Sequence, residues 1–566
     1  MDDLECLDPE RRCYCGKVYQ THASLLRHSR TCPALTEDCK SILRILACLE
    51  PRPVPADLFY RALFPFKTWN ENGNESYDRL AKLEPVFNNF ARLDRAVQVA
   101  CAIPAVQLTD SLVGPDTESS LWWADRDLTL QTSCRAFVRN ELRRIPEHSM
   151  CWQLEAARLI LHSFPHQELD DKFIEKGQIL FPFVLPALQE ISADTLSLDE
   201  IKRGVEVCIA ASAFGSPHAK ERILDMAQYL LRRLPSSPLR LAVQLRQTAL
   251  RLLNGEPPAI TSNPDSGRKG NALLGEFLLV QAQSAAEQGY ISRSWQLLDQ
   301  WTPAYVAQPS LLESIISFRF DLMRGKLSRY QGAFEKSRLC LEPLSSQYPA
   351  PRAQFLSKLH LIAVYGELAL WDKGSALLAG IVATTSARQR LLHLSRAEFH
   401  LARGLEGSDD DINLAKNLFI DLSADYEKVT PTRPAAKRNF ARVCLGLAVI
   451  SHIQRRGKPY FALLHALNDW RLAYEACLGS SLLDRGPGFP VLICLLAVAD
   501  IKVSLDDSNW KIDLHSAQEI WAELRQEESD QRFFFANIGT RWANMVCHWL
   551  EGAGKAPVLP RWEPHG

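Results

Sequence analysis

With 65 basic against 66 acidic side chains in 566 residues, the chain carries a formal net charge of −1, so no global field draws in a polyanion and any nucleic-acid contact has to come from a local patch. Hydrophobic residues make up 46% and charged residues 23%, the balance of a soluble globular chain long enough for several domains or one long repeat array. The start, Met-Asp-Asp-Leu-Glu, lacks the basic and apolar regions of a secretory signal, and apolar runs such as Val491–Ala499 fall far short of the roughly 20 residues that span a bilayer. Neither a secreted nor a membrane-embedded protein is expected. The 15 cysteines are an odd number, and beyond residue 40 several stand singly among aliphatics (Cys208, Cys340, Cys444, Cys494, Cys547), the usage of buried reduced thiols inside a cell.

The sharpest chemistry lies first in the chain. Cys13-Tyr-Cys15-Gly-Lys-Val-Tyr19 continues to Leu25, His28 and Cys32. A tetrahedral zinc ion takes four soft or borderline donors from both sides of a tiny core. Here two thiolates come from a short knuckle, and an imidazole and a thiolate follow about one helical turn apart. Residues 1–35 therefore read as a zinc unit with Cys13, Cys15, His28 and Cys32 as ligands. Gly16, directly after the knuckle, supplies the left-handed turn a short loop demands. Cys6 and Cys39 flank the unit as substitute ligands. The pattern resembles the C₂H₂ zinc-finger family in its C₂HC variant, with Tyr19 and Leu25 at the positions of the finger's apolar core. It departs from the family in its Cys-x-Cys spacing and in having no linker to a second finger. The resemblance implies that the base-reading positions fall on Thr21, Ser24 and Arg27, with Arg11, Arg12, Lys17 and Arg30 directed at phosphates. One finger covers about 3 bp and supplies little affinity alone. A lone finger followed by Glu37-Asp38 equally reads as a protein-binding module or a structural cap.

Residues 36–165 read as a winged-helix-like helical module. Helices are expected over Asp38–Leu49 and Ala56–Leu63, separated by Pro51, Pro53 and Pro55. A polar insert over Asn70–Ser76 precedes another helical stretch through Leu80, then alternating segments around Val97–Val106 and Leu128–Gln131, and a helix over Ser133–Arg144. The order of Ser41-Ile-Leu-Arg-Ile-Leu-Ala-Cys-Leu49, Val54-Pro-Ala-Asp-Leu-Phe59, Leu128-Thr-Leu-Gln131 with Arg135-Ala-Phe-Val-Arg139, and Ala156–Pro165 is similar to the region after the nucleotide-binding domain in NOD-like (STAND) signalling ATPases that end in tetratricopeptide-like repeats. No Gly-x₄-Gly-Lys-Ser/Thr loop occurs in the chain, so the phosphate-cradling nest of those ATPases is missing from it.

From 166 to 551 helix follows helix, and residues 552–566 read as a flexible tail. Ile223, Met226, Ala227, Leu230 and Leu231 form one apolar stripe, Leu311, Ile315, Phe318 and Leu322 a second, and Ala415, Leu418, Phe419 and Leu422 a third. Helix pairs are expected to hinge at Gly289-Tyr290, at Gly325, near Trp371-Asp372, and across the acidic loop Gly404–Asp411. True tetratricopeptides repeat every ~34 residues, and these hinges are irregular beyond the first interval, so the array reads as a tetratricopeptide-like α-solenoid of degenerate units. Such arrays bury a continuous core and hold extended peptides or partner helices.

No nucleophile elbow, His-Glu-x-x-His helix, dinucleotide fingerprint or calcium loop is present in the sequence. Asp409-Asp410-Asp411 reads as the capped start of a helix ahead of a cation site, Arg455-Arg456 with Lys458 as a solvated basic turn, and most tryptophans as core packing. His360, His393 and His400 stand alone within helical patterns. The fold expected is mainly α: a small zinc finger, a winged-helix-like module, then the solenoid. The function expected is a non-enzymatic, zinc-dependent regulatory protein acting in transcription in the nucleus, with DNA or protein at the finger and protein partners on the array. The alternative is a cytoplasmic signalling scaffold related to NOD-like proteins, with the finger as a structural cap.

Overall fold

A computed structural model describes residues 36–49, 53–80, 83–101, 106–110, 126–130, 138–139, 142, 146–170, 172–234, 238–253, 267–287, 290–346, 351–383, 386–428, 434–479, 488–524 and 536–555. These form a mainly α protein of about 20 helices packed in sequential pairs, with a few short strands. The chain divides into two compact units, one running to Gly270 and one from Asn271.

In the first unit, Thr36 opens α1 (Glu37–Cys48) by accepting the amide of Cys39 at 3.2 Å, which satisfies one of the donors a helix start leaves over. Ile42, Ile45 and Leu46 are buried on one face. Next come β1 (Val54–Pro55) and α2 (Asp57–Arg61), then the antiparallel hairpin β2 (Phe66–Trp69) and β3 (Glu75–Asp78), with Phe66 opposite Asp78 and Trp69 opposite Glu75. After α3 (Phe90–Cys101), β4 (Val106–Asp110) and β5 (Arg126–Leu130) complete a three-stranded antiparallel sheet in the order β1-β5-β4. Arg139 donates to the carbonyls of Ala47 and Leu49 at the end of α1, at 2.6 and 3.3 Å.

Two expectations fail in this unit. The stretch through Leu80 is a hairpin strand, because Asn70 accepts from the amides of Asn72 and Asn74 and Gly73 takes a positive φ of 74°, closing a turn that a helix does not allow. Val97–Cys101, read as alternating, is the last turn of α3, where Leu93, Ala96, Val97 and Ala100 share the buried face. Of the helix expected over Ser133–Arg144, residues 138, 139 and 142 are described, and they are helical.

Five helices follow: α4 (Pro146–Ser163), α5 (Phe173–Gln189), α6 (Leu198–Ala211), α7 (Pro217–Leu231) and α8 (Leu239–Leu253). Their register is fixed by buried polar anchors. Arg158 of α4 pairs with Glu155 and with Glu200 at 2.6 Å, and Glu200 also closes the capping box with Ser197 at the start of α6. Arg203 of α6 donates to the carbonyls of Leu161 and Phe164 at 2.8 and 2.7 Å, satisfying the orphan acceptors at the end of α4.

The second unit runs through α9 (Arg268–Glu287), α10 (Ile291–Leu298), α11 (Leu311–Tyr330), α12 (Phe334–Ser346), α13 (Pro351–Glu367), α14 (Trp371–Ala379), α15 (Ser386–Gly404), α16 (Asp409–Lys428), α17 (Pro434–Arg455), α18 (Tyr460–Gly479), α19 (Phe489–Ser504), α20 (Trp510–Leu524) and α21 (Ala536–Gly552). From α11 to α20 most helices pack on the one before, and α11, α13, α15 and α17 also touch in succession. Of the hinge expected at Gly289-Tyr290, Tyr290 is described and directly precedes α10, and the break between α15 and α16 falls where the sequence puts it. The hinge expected at Gly325 does not. That glycine lies inside α11, where an added Cβ would sit 2.6 Å from Leu341, so it serves close helix packing; the turn falls at Gly332, with φ 77°. The next turn likewise precedes Trp371, at Ala369, with φ 54°.

Gly446 of α17 is a second close approach, its missing Cβ lying 2.4 Å from the ring of Phe419 on α16. Gly446→Ala is expected to lower stability by about 1–3 kcal/mol in urea denaturation. Gly479→Ala, with nothing within 4 Å, should change it by less than about 0.5 kcal/mol. Equal midpoints for the two would contradict this packing.

Candidate functional site

The proposed zinc ligands Cys13, Cys15, His28 and Cys32, and the base- and phosphate-facing positions Thr21, Ser24, Arg27 and Arg30, lie outside the described residues. Cys39, read as a substitute ligand, is described: it is fully buried in α1, and burial pushes its thiol up to about 12. Its side chain packs on the buried face of α1 with Ile42, Ile45 and Leu46. Among the described residues no three histidine, cysteine or acidic side chains are arranged to hold a metal ion. No helix among them is long and apolar enough to cross a membrane.

The first unit contains a cavity of about 690 Å³ lined by the β2–β3 hairpin, α6 and the unit's last residues, up to Gly270. Its walls include Phe66, Thr68, Trp69, Lys202, Glu206 and Lys269. The Arg203 guanidinium lies 4.1 Å over the Phe66 ring, and the hydroxyl of Thr68 donates to Glu206 at 3.4 Å. The one lining hydroxyl in a helix cap, Ser197, is engaged by Glu200.

In the second unit the most closely built polar cluster joins α17, α18 and α19. Trp470 donates its indole N–H to His452 Nδ1 at 3.1 Å, which makes Nδ1 an acceptor. The ring proton therefore sits on Nε2 and is donated to Asp500 Oδ2 at 3.0 Å, while Arg456 reaches the same oxygen at 3.2 Å. Burial drives the His452 pKa below its usual value. For Asp500 burial works upward, but the hydrogen bonds from His452 and Arg456 outweigh it and hold the carboxyl low. His452 is neutral, and its second nitrogen is blocked by an indole. This is a structural tie between helices, not an acid–base pair.

The remaining sequence readings resolve locally. Asp411 stands in the first turn of α16, where its amide donates to the capping Ser408 hydroxyl at 3.3 Å and its carboxylate accepts from Arg403 at 2.6 Å and pairs with His400 at 2.7 Å. His400 thus has an acidic partner the sequence did not reveal. Trp301, Trp470, Trp521 and Trp542 are buried, as expected for core packing. The basic turn is less solvated than expected: Arg455 pairs with Asp469 at 2.7 Å, and Arg456 lies 4.1 Å over the Trp549 ring. The His452–Asp500 tie was missed. Its signal was a lone aspartate inside the apolar run Leu495–Ile501, a position that obliges a buried partner.

The chain matches no protein-family model, and no curated protein matches it.

Because His162 (lowered to about 4 by burial) and His452 are held neutral in the fold, the unfolded chain binds more protons than the folded one below about pH 6.5. Their contribution is complete above that pH and is lost as pH falls, toward 4 for His162, at up to about 1.4 kcal/mol per pH unit. Trp470→Phe leaves His452 Nδ1 without its donor and is expected to cost about 1–3 kcal/mol at pH 8. That deficit should narrow toward pH 5, since the freed nitrogen accepts a proton more readily. A deficit that stays constant with pH in chemical denaturation would refute the Nε2–H tautomer.

Proposed function

We propose that the protein is a non-enzymatic, zinc-dependent regulator acting in transcription, in which an N-terminal C₂HC finger contacts DNA or a protein and the helical array binds protein partners. The observation that carries this reading is the spacing of Cys13, Cys15, His28 and Cys32 around the apolar pair Tyr19 and Leu25. Three thiolates and an imidazole are a donor set suited to structural zinc, and the ion would hold a segment too short to build a core of its own. A nuclear location follows from the finger reading alone.

The order helix, strand, helix, then after the β2–β3 hairpin a helix and two further strands, closing an antiparallel sheet as β1-β5-β4, supports the winged-helix-like reading of residues 36–165. The sequential pairs of the second unit support the tetratricopeptide-like reading of the array. One observation favours the second reading, a cytoplasmic signalling scaffold with the finger as a cap. The helix that would face DNA in a winged-helix reader, α3, has its exposed Arg92 tied to Asp38 by Nε at 2.9 Å and Nη2 at 2.5 Å, so that positive charge is neutralised within the unit.

Zinc is tested by metal analysis of the purified full chain. One ion per chain is expected, falling to none in Cys15→Ser; unchanged stoichiometry would sink the ligand assignment. DNA is tested by retention of the full chain on duplex DNA across a salt series. Retention at low salt that weakens steeply with added salt is expected for the transcription reading. A chain that holds zinc but shows no retention at any salt leaves the scaffold reading.

A further inference from the structure

Helix α21 departs from the row it belongs to. From α11 to α20 the helices pack mainly on their sequence neighbours, whereas α21 lies across α13, α15 and α19, which are alternate or distant members of the series. It buries one stripe, Trp542, Val546 and Leu550, at i, i+4 and i+8. The Trp542 ring stacks on Trp470, with centroids 5.5 Å apart, and meets His452 of α17 at 5.2 Å. Arg541, one residue earlier, donates from Nε to Glu406 at 3.0 Å and from Nη2 to the Glu367 carbonyl at 3.2 Å, and its guanidinium lies 5.0 Å over the Trp371 ring. A helix that sets an apolar stripe into a row of other helices and its cation into an acidic, aromatic end is seated as a helical ligand is seated in a groove.

The fit is incomplete. The indole Nε1 of Trp542 is buried and makes no hydrogen bond, and the buried Nη1 of Arg541 has only an ion pair with Glu367 at 3.9 Å. A groove matched to its own helix would satisfy both donors. The attachment of α21 through residues 525–535 makes its docking intramolecular, at an effective concentration on the order of millimolar, which a competing helix in trans has to exceed.

We infer that the face formed by α13, α15, α17 and α19 is a binding groove for an amphipathic helix of a partner protein, and that α21 occupies it in cis. The partner helix carries the α21 pattern: a basic residue followed directly by an aromatic one, with apolar residues four and eight positions after the aromatic. This deepens the reading of the array as a partner-binding surface and rests on it; it is independent of the finger.

The test uses the full-length chain and a fluorescent synthetic peptide of residues 536–552. Arg541→Glu with Trp542→Ala in the full chain loosens α21, and this variant should bind the peptide at least about tenfold more tightly than the wild type, while a peptide with the same two changes should not bind. Amide exchange in the wild type should open α21 before α17. If the double variant loses its cooperative melt, Arg541→Glu alone, which cuts only the polar end, is measured in the same way. Exchange that accelerates across α13–α19 together with α21 in both variants would overturn the inference, because α21 would then be part of the core. So would a folded variant that does not bind the peptide. In that case, equal capture of cellular proteins by wild-type and variant chains leaves the partner-binding reading standing, and no capture by either removes both.

Discussion

A polar group withdrawn from water has to find its partner inside the protein, and in a chain of stacked helices that requirement sets the register of each helix on the next. Apolar stripes are forgiving: Leu and Ile faces slide by a turn with little penalty, because burial is proportional to area and indifferent to direction. Charged anchors are not. Arg158 meets Glu200 only when α4 and α6 are in register, and Arg203 meets the last carbonyls of α4 only in that same register. In the second unit Arg442 of α17 reaches the buried Glu398 of α15 at 2.6 and 2.5 Å, and His452 joins α17 to α18 and α19. A few directional contacts thus convert a set of amphipathic helices into a single arrangement.

What the sequence made legible follows the same division. Periodic apolar stripes gave most helices and several of their pairings, because a 3.6-residue period is written in local sequence. Turns governed by a single residue's conformation were harder. Gly325 looked like a hinge, yet glycine serves a turn and a close packing contact equally well, and only Leu341, a neighbour in space, decides which. The hairpin at Phe66–Asp78 was hidden because its turn is made by Asn70 and Gly73 inside a polar stretch that carries no alternation of its own. The pairings His400–Asp411 and His452–Asp500 span 11 and 48 positions, and the longer one has no periodic signature at all. The finger reading is the reverse case: it rests entirely on local spacing.

The cysteines separate the two kinds of chemistry in the chain. Cys39, Cys48, Cys208, Cys444 and Cys547 all have thiols pushed up to about 12, chiefly by burial. At neutral pH they are small apolar side chains, poor as nucleophiles and poor as ligands. The zinc reading rests instead on Cys13, Cys15 and Cys32, all before residue 35 in the sequence.

The titratable groups of the helical body are likewise spent on structure. His452 is blocked at one nitrogen by an indole and at the other by a carboxylate, Asp411 is held to about 2, with burial opposing and Arg403, Ser408 and His400 prevailing, and Glu313 is consumed by the capping box at Ser310. Groups fixed in this way are poor proton shuttles, because each proton moved breaks a tie between helices. Among the described residues, α21 is a helix seated across other helices of the same unit. The Trp542–Trp470 stack and the Arg541–Glu406 pair stand next to one another near the start of α21, and Val546 and Leu550 continue the buried stripe. A row of helices can hold such a seat only where its register is fixed, so the buried ties that set that register also shape the seat.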